Sequence, residues 1–328
     1  MFPLAYLVLF SFGLAISLLV TGKAIGWARR WNFLDRPGER KVHRVTQPRL
    51  GGLGIFAGFY FPLIAAVLVV LYHPGSEAFG ALREFLVEHR PGLAGQWQAF
   101  LGLVGGGTIL FVGGLLDDRY SLSPRAKLLW QIAASAILIS TGYVLDFYKV
   151  LWGGSSGYWF LSVPITLVWM LFLINAFNLL DNMDGLSGGV AAITTFFFGV
   201  YAHMQGEYFL AASMSALVGS LLGFLRYNWN PSKIFMGDGG ALLIGFLIAA
   251  FSCRCTYYQT TPNLFEWFFG LGGDATQQGV LSVLTPLVIM AVPIFDTLTV
   301  ILIRWWRGRP IMVGDTNHFS HRLVALGL

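Results

Sequence analysis

Charge is scarce in this chain. Asp, Glu, Lys and Arg make up 11% of its 328 residues, where a soluble domain carries about 25%. A soluble protein of this length would need more polar surface than that to cover its core. Cysteine is scarcer still. Cys253 and Cys255 are the only two; their spacing is too close for an ordinary structural disulfide, and there is no second pair for a zinc site. Internal repeats and low-complexity tracts are lacking. Disorder is excluded by what is plentiful: 28 Phe, 12 Tyr and 11 Trp cannot stay solvated.

Apolar residues, 56% of the chain, recur in blocks from end to end, and the mean hydropathy is +0.67. This composition predicts an all-α, polytopic transmembrane helical bundle. Nine segments have the roughly 20 apolar residues that a span requires: 2–22, 51–72, 99–116, 126–144, 158–178, 187–205, 208–225, 238–256 and 279–303. The first lacks a basic leader and a small-residue cleavage site, so it reads as a retained helix. Residues 73–98 and 257–278 have room for a short surface helix or a hairpin. With no composition break, residues 1–328 form one domain.

Lys and Arg set the expected orientation. With the N-terminus outside, 17 of the 21 basic residues face the cytoplasm, leaving Arg83, Arg90, Lys149 and Arg254 outside. On the cytoplasmic side lie Asp117, Asp118, Asp181, Asp184, Asp238, Asp296 and Asp315, each beside or inside an apolar run. A carboxylate there is costly unless paired, solvated or metal-bound. Asp, with its short stem, suits a Mg²⁺ site built from one or two carboxylates and phosphate oxygens.

Four motifs carry these acids. Gly113-Gly114-Leu-Leu-Asp117-Asp118 ends a helix in two adjacent carboxylates, which read either as solvated acids or as a proton acceptor and a metal or phosphate site. The run Asn175 to Gly189 places Asn175, Asn178 and Asp181–Asn182 on one helical face, with Asp184 beyond. In Asn228 to Gly240, Phe235 stands three residues before Asp238 at a helix start, where free N–H groups favour an anion. An Asp N-cap with glycine at a turn is the plainer reading. Asp315 to Arg322 adds His318, His321 and Arg322, better suited to an anion than to zinc. Together they describe a carboxylate-rich, basic-rimmed site for a divalent metal and a phosphorylated substrate, and so for phosphoryl transfer.

At these residues the chain resembles the polyprenyl-phosphate N-acetylhexosamine-1-phosphate transferase family, glycosyltransferase family 4. The likeness runs over nearly the whole chain, including the early loop Asp35 to His43 with Pro48 and Gly51-Gly52. It implies Mg²⁺-dependent transfer (Mn²⁺ being an alternative) of a sugar-1-phosphate from a UDP-sugar to a polyprenyl phosphate, with release of UMP. By resemblance, Asp117, Asp118, Asp181, His318 and His321 are catalytic. Asp238 and Asp118 hold metal. Lys127, Asn178, Asp184, Asn228, Phe235, Lys41, His43 and Arg322 bind substrate, Phe235 by stacking on uracil. The loops and the Asp-x-x-His-x-x-His-Arg ending look most like the N-acetylglucosamine branch, in which undecaprenyl phosphate receives the sugar to start a cell-envelope glycan. The implied setting is the bacterial inner membrane, with a cytoplasmic active site; nucleic acid is not an expected partner, and a homodimer stays open. Two departures stand out: Ser320 replaces a further histidine common in the family, and relatives usually continue into another membrane helix after this motif. An ion-coupled transporter is the rival reading. Such sites tend to lie at the midplane, often with inverted repeats, whereas these acids gather at one face.

Overall fold

The computed structural model describes residues 2–35, 46–72, 80–145, 159–255 and 284–308. Ten helices, a short helical stretch at 284–289 and one small hairpin carry the described fold. In chain order the ten helices and the hairpin strands are α1 (Phe2–Arg30), β1 (Leu34–Asp35), β2 (Gln47–Pro48), α2 (Gly52–Tyr72), α3 (Gly80–Gly95), α4 (Trp97–Tyr120), α5 (Pro124–Ser140), α6 (Trp159–Leu180), α7 (Leu186–Met204), α8 (Tyr208–Asn228), α9 (Gly237–Cys255) and α10 (Ala291–Trp306). The hairpin is antiparallel, pairing Leu34 with Pro48 and Asp35 with Gln47.

Seven helices, namely α1, α2, α4, α6, α7, α8 and α9, are long and apolar enough to cross a membrane. The other two expected spans are helical but shorter. The side chain of Ser123 accepts from Ala126 N to start α5, Pro124 fills its first turn, and Gly142 at φ +98° ends it. The expected span 279–303 is divided in its described part: residues 284–289 are helical, and Met290 interrupts before α10 begins. Residues 80–95, in the stretch left open between helix and hairpin, form α3.

Helix α9 is the axis of the bundle. Buried residues fill 89% of its apolar window, and it packs against α2, α4, α6 and α7. Helix α1 lies at the edge against α2 and α8, with Leu4, Leu7, Phe12 and Leu19 facing outward, as apolar side chains do toward lipid. Cys253 and Cys255 are both free and buried.

One charge falls elsewhere than expected. Arg304, one of the 17 basic residues expected in loops on the cytoplasmic side, lies within the last turn of α10 and is 1% exposed. Asp296 is buried on the same helix, and both have polar or electrostatic partners. A buried charge in a membrane bundle must be paired or hydrogen-bonded, and the charge count alone does not reveal such partners.

Candidate active site

Two backbone crossings build the site. A methyl group added to Gly114 would lie 2.5 Å from the Cα of Gly239, and one on Gly52 would lie 2.5 Å from the Cα of Gly240. The end of α4 and the start of α2 therefore meet the first turn of α9 backbone to backbone. Asp118 follows Gly114 by one helical turn, so its side chain falls over the start of α9. Its Oδ1 accepts from Asp238 N at 3.0 Å and its Oδ2 from Gly239 N at 3.3 Å. Gly237, at φ +78°, lets the chain turn into α9 beneath that carboxylate; a Cβ there would meet Asp118 Oδ2 at 2.6 Å. The anion expected at this helix start is thus the protein's own Asp118.

Two cations tie three carboxylates together. Arg49 donates through Nε to Asp118 Oδ1 and through Nη2 to Asp238 Oδ1, both at 2.9 Å. Lys127, near the start of α5, pairs with Asp117 and reaches Asp238 Oδ2 at 3.5 Å. Asn178 Nδ2 also donates to Asp238 Oδ1, at 3.2 Å. Asp117 closes the end of α4 by accepting from Leu122 N at 2.8 Å. Burial opposes the Arg49 charge, but Asp118 and Asp238 outweigh it and raise its pKa. By sequence, Arg49 is one of the 17 basic residues expected on the cytoplasmic side and nothing more. Its one signal was position, directly before the Leu50-Gly51-Gly52 turn that must approach α9.

The polar run after Asn175 divides by function. Asn175 exchanges two amide hydrogen bonds with Gln131 of α5, at 2.8 and 3.2 Å, and so joins α5 to α6. Asn178 points to Asp238, while Asn182 caps its own helix end through Leu179 O. Asp184 accepts from Ser232 N at 3.0 Å. Asn228 is buried, accepts from Gly185 N at 3.0 Å and donates to Ile234 O at 2.9 Å. These bonds pin the 181–187 turn to the 229–237 loop. That loop is held in turn by the early one: Phe235 N donates to Pro48 O and Gly51 N donates to Phe235 O. The Phe235 side chain stays half-buried at this junction. Lys41, His43, His318, His321 and Arg322 lie outside the described residues.

Asp117, Asp118, Lys127, Asn178, Asp181, Asp184, Asn228, Phe235 and Asp238 thus come from four separate stretches of chain to one end of the bundle. A family model, "Glycosyl transferase family 4", matches residues 100–256, a span that holds all nine. A Bacillus subtilis protein described as a probable undecaprenyl-phosphate N-acetylglucosaminyl 1-phosphate transferase is 32% identical over 323 residues, covering 98% of this chain and 78% of its own. The Mycolicibacterium smegmatis decaprenyl-phosphate N-acetylglucosaminephosphotransferase is 31% identical, with 94% and 74% covered. The Escherichia coli K12 undecaprenyl-phosphate α-N-acetylglucosaminyl 1-phosphate transferase is 26% identical, with 92% and 71% covered. The chain belongs to glycosyl transferase family 4. With its apolar helices, this makes it an integral membrane transferase.

The donor atoms of this family 4 site fit Mg²⁺ in one particular way. Among the described residues no three His, Cys, Asp or Glu side chains form a ready-made metal cage. Asp238 and Asp118, bridged by one guanidinium, offer one or two carboxylates. A hard ion that takes its remaining ligands from water and substrate phosphate needs no more.

Asp181, in the turn after α6, has no ion-pair or hydrogen-bond partner among the described residues. Burial, with Asp238, Asp118 and Asp184 nearby, pushes its carboxyl up to about 7 against the pull of Arg49. A carboxylate raised in the folded state binds protons that the unfolded chain has already released. Stability therefore falls as pH rises from the ordinary carboxylate value toward 7, and the loss is complete above that. The Asp181→Asn variant, heated in EDTA, should outlast the parent protein at pH 8, and the gap should shrink at pH 5. A gap of the same size at both values would contradict the raised carboxyl.

Proposed function

We propose that this protein transfers N-acetylglucosamine-1-phosphate from UDP-N-acetylglucosamine to a polyprenyl phosphate, releasing UMP and requiring Mg²⁺. The observation that carries the reading is the cluster of Asp117, Asp118 and Asp238 bridged by Arg49 and Lys127, in a chain whose relatives are named for this transfer. In this reaction an oxygen of the lipid phosphate bonds to the sugar-bearing phosphorus of the donor. The bond from that phosphorus to the UMP oxygen breaks, and UMP leaves with the electron pair. The nucleophile is already ionised, so the protein's task is to align two anions that repel one another.

Each residue then has a part. Asp238 with Asp118 would hold Mg²⁺, whose charge neutralises the donor diphosphate. Lys127 faces the same phosphates from α5. Asp181, without a hydrogen bond or ion pair among the described residues and raised in pKa, accepts the proton of an acceptor phosphate that arrives singly ionised. Asn178 steadies Asp238, and Asp184 with Asn228 fixes the loop that carries Phe235. His318, His321 and Arg322, with Lys41 and His43, would close the phosphate side. The site opens to the cytoplasm of a bacterial inner membrane, the side where UDP-sugars are made, with the N-terminus outside.

Phe235 is the uracil platform in this reading. Base–aromatic stacking is worth roughly 1–3 kcal/mol, so Phe235→Ala should weaken UMP inhibition by about 5- to 150-fold, at ~1.4 kcal/mol per tenfold. Pyrophosphate inhibition should hardly change. A variant that weakens both inhibitors and unfolds at a lower temperature would make Phe235 a packing residue.

The proposal is tested with purified protein, Mg²⁺, undecaprenyl phosphate and a panel of UDP-sugars. UMP should appear only with lipid present, and fastest with UDP-N-acetylglucosamine. A faster reaction with another UDP-hexosamine would overturn the choice of sugar. No UMP from any donor would overturn the activity.

A further inference from the structure

Among the described residues, Arg49 is the one fork-shaped cation paired with the site's carboxylates. Its guanidinium spans Asp118 and Asp238 with two contacts of 2.9 Å, the place a divalent ion shared by those carboxylates would take. Its side chain is 32% exposed, whereas that of Asp118 is 1% exposed. Its backbone is anchored: Arg49 N donates to Phe33 O at 2.9 Å, and the neighbouring residues Pro48 and Gly51 bond to Phe235 on either side. Asp118 is independently held by the N–H groups of Asp238 and Gly239. Both carboxylates can therefore stay in place while the guanidinium leaves.

We propose that Arg49 is a positioning residue that acts as an exchangeable counter-ion. In the metal-free protein it neutralises Asp118 and Asp238 and holds them at metal-binding distance. When the divalent ion binds, the guanidinium gives up the carboxylates and, still tethered at the rim, turns its fork to the donor phosphates. A planar guanidinium suits phosphate as well as carboxylate. Metal and diphosphate then enter as a matched pair, and the carboxylates never face one another without a cation. This rests on the metal assignment proposed above.

The test uses full-length protein in detergent, without nucleotide, and Mn²⁺ as the probe, followed by electron paramagnetic resonance. Arg49→Met should bind Mn²⁺ about tenfold or more tightly than the parent, because the competing charge is gone. Without metal it should unfold at a lower temperature than the parent, and saturating Mn²⁺ should remove most of that deficit. Adding Asp238→Asn should abolish the tightened binding, which places the ion at this site. Lys127→Met removes an equal charge from the site's edge and should tighten Mn²⁺ much less. Equal tightening in both, or a thermal deficit in Arg49→Met that Mn²⁺ leaves unchanged, would overturn the exchange. If Mn²⁺ binds the parent and Arg49→Met alike, the exchange fails and the metal assignment stands. If it binds neither, both fail together.

Discussion

Asp238→Asn should abolish turnover while leaving the protein folded. An amide cannot replace a carboxylate on Mg²⁺. The fold has little to lose: Arg49 keeps Asp118, Lys127 keeps Asp117, and the bond from Asp238 N to Asp118 belongs to the backbone. The purified variant should unfold within a few degrees of the parent in EDTA, about what ~1 kcal/mol produces in a protein of this size, and should show no stabilisation by Mg²⁺. Substantial activity at ordinary Mg²⁺ would remove Asp238 from the metal site.

Asp118→Ala should have the opposite balance, a structural failure first. The Asp118 carboxylate caps two N–H groups at the start of α9 and holds Arg49 from within the protein. Losing it leaves Arg49 with Asp238 alone and leaves two N–H donors without their acceptor in a buried place. A buried donor left unsatisfied costs about 1–3 kcal/mol, so two of them take a large part of the roughly 5–15 kcal/mol by which domains are stable. The alanine variant should accumulate poorly or unfold well below the parent. Asp118→Asn, which still accepts one of the N–H bonds, should fall between. An alanine variant as heat-stable as the parent would mean that α9 does not depend on this cap.

The contrast between these neighbours marks where sequence reading stops. Apolar runs revealed the helices, because burial in lipid demands some 20 such residues wherever a span occurs. Aspartates at helix ends drew notice for a similar reason, since each is costly beside a membrane without a partner. Identity of the partner was not available. Asp118 meets the first turn of α9 from 120 residues away, and the contact depends on Gly114 lying against Gly239. Asn175 shares a helical face with Asn178, yet one joins α5 and the other reaches Asp238. Arg304 and Arg49 are both arginines near the end of a span. One is buried in a helix and the other bridges two carboxylates. Charge counting treats them alike; packing separates them.

The central claim is that phosphorus moves with the sugar. It is tested most directly with UDP-N-acetylglucosamine carrying ³²P in the phosphate attached to the sugar, incubated with the purified protein, undecaprenyl phosphate and Mg²⁺, and then divided between organic and aqueous phases. Transfer of sugar-1-phosphate should carry the label into the lipid phase, with unlabelled UMP released in equal amount, and Asp238→Asn should leave all of it in the aqueous donor. Label recovered as aqueous UDP, with the sugar alone on the lipid, would contradict the proposed reaction.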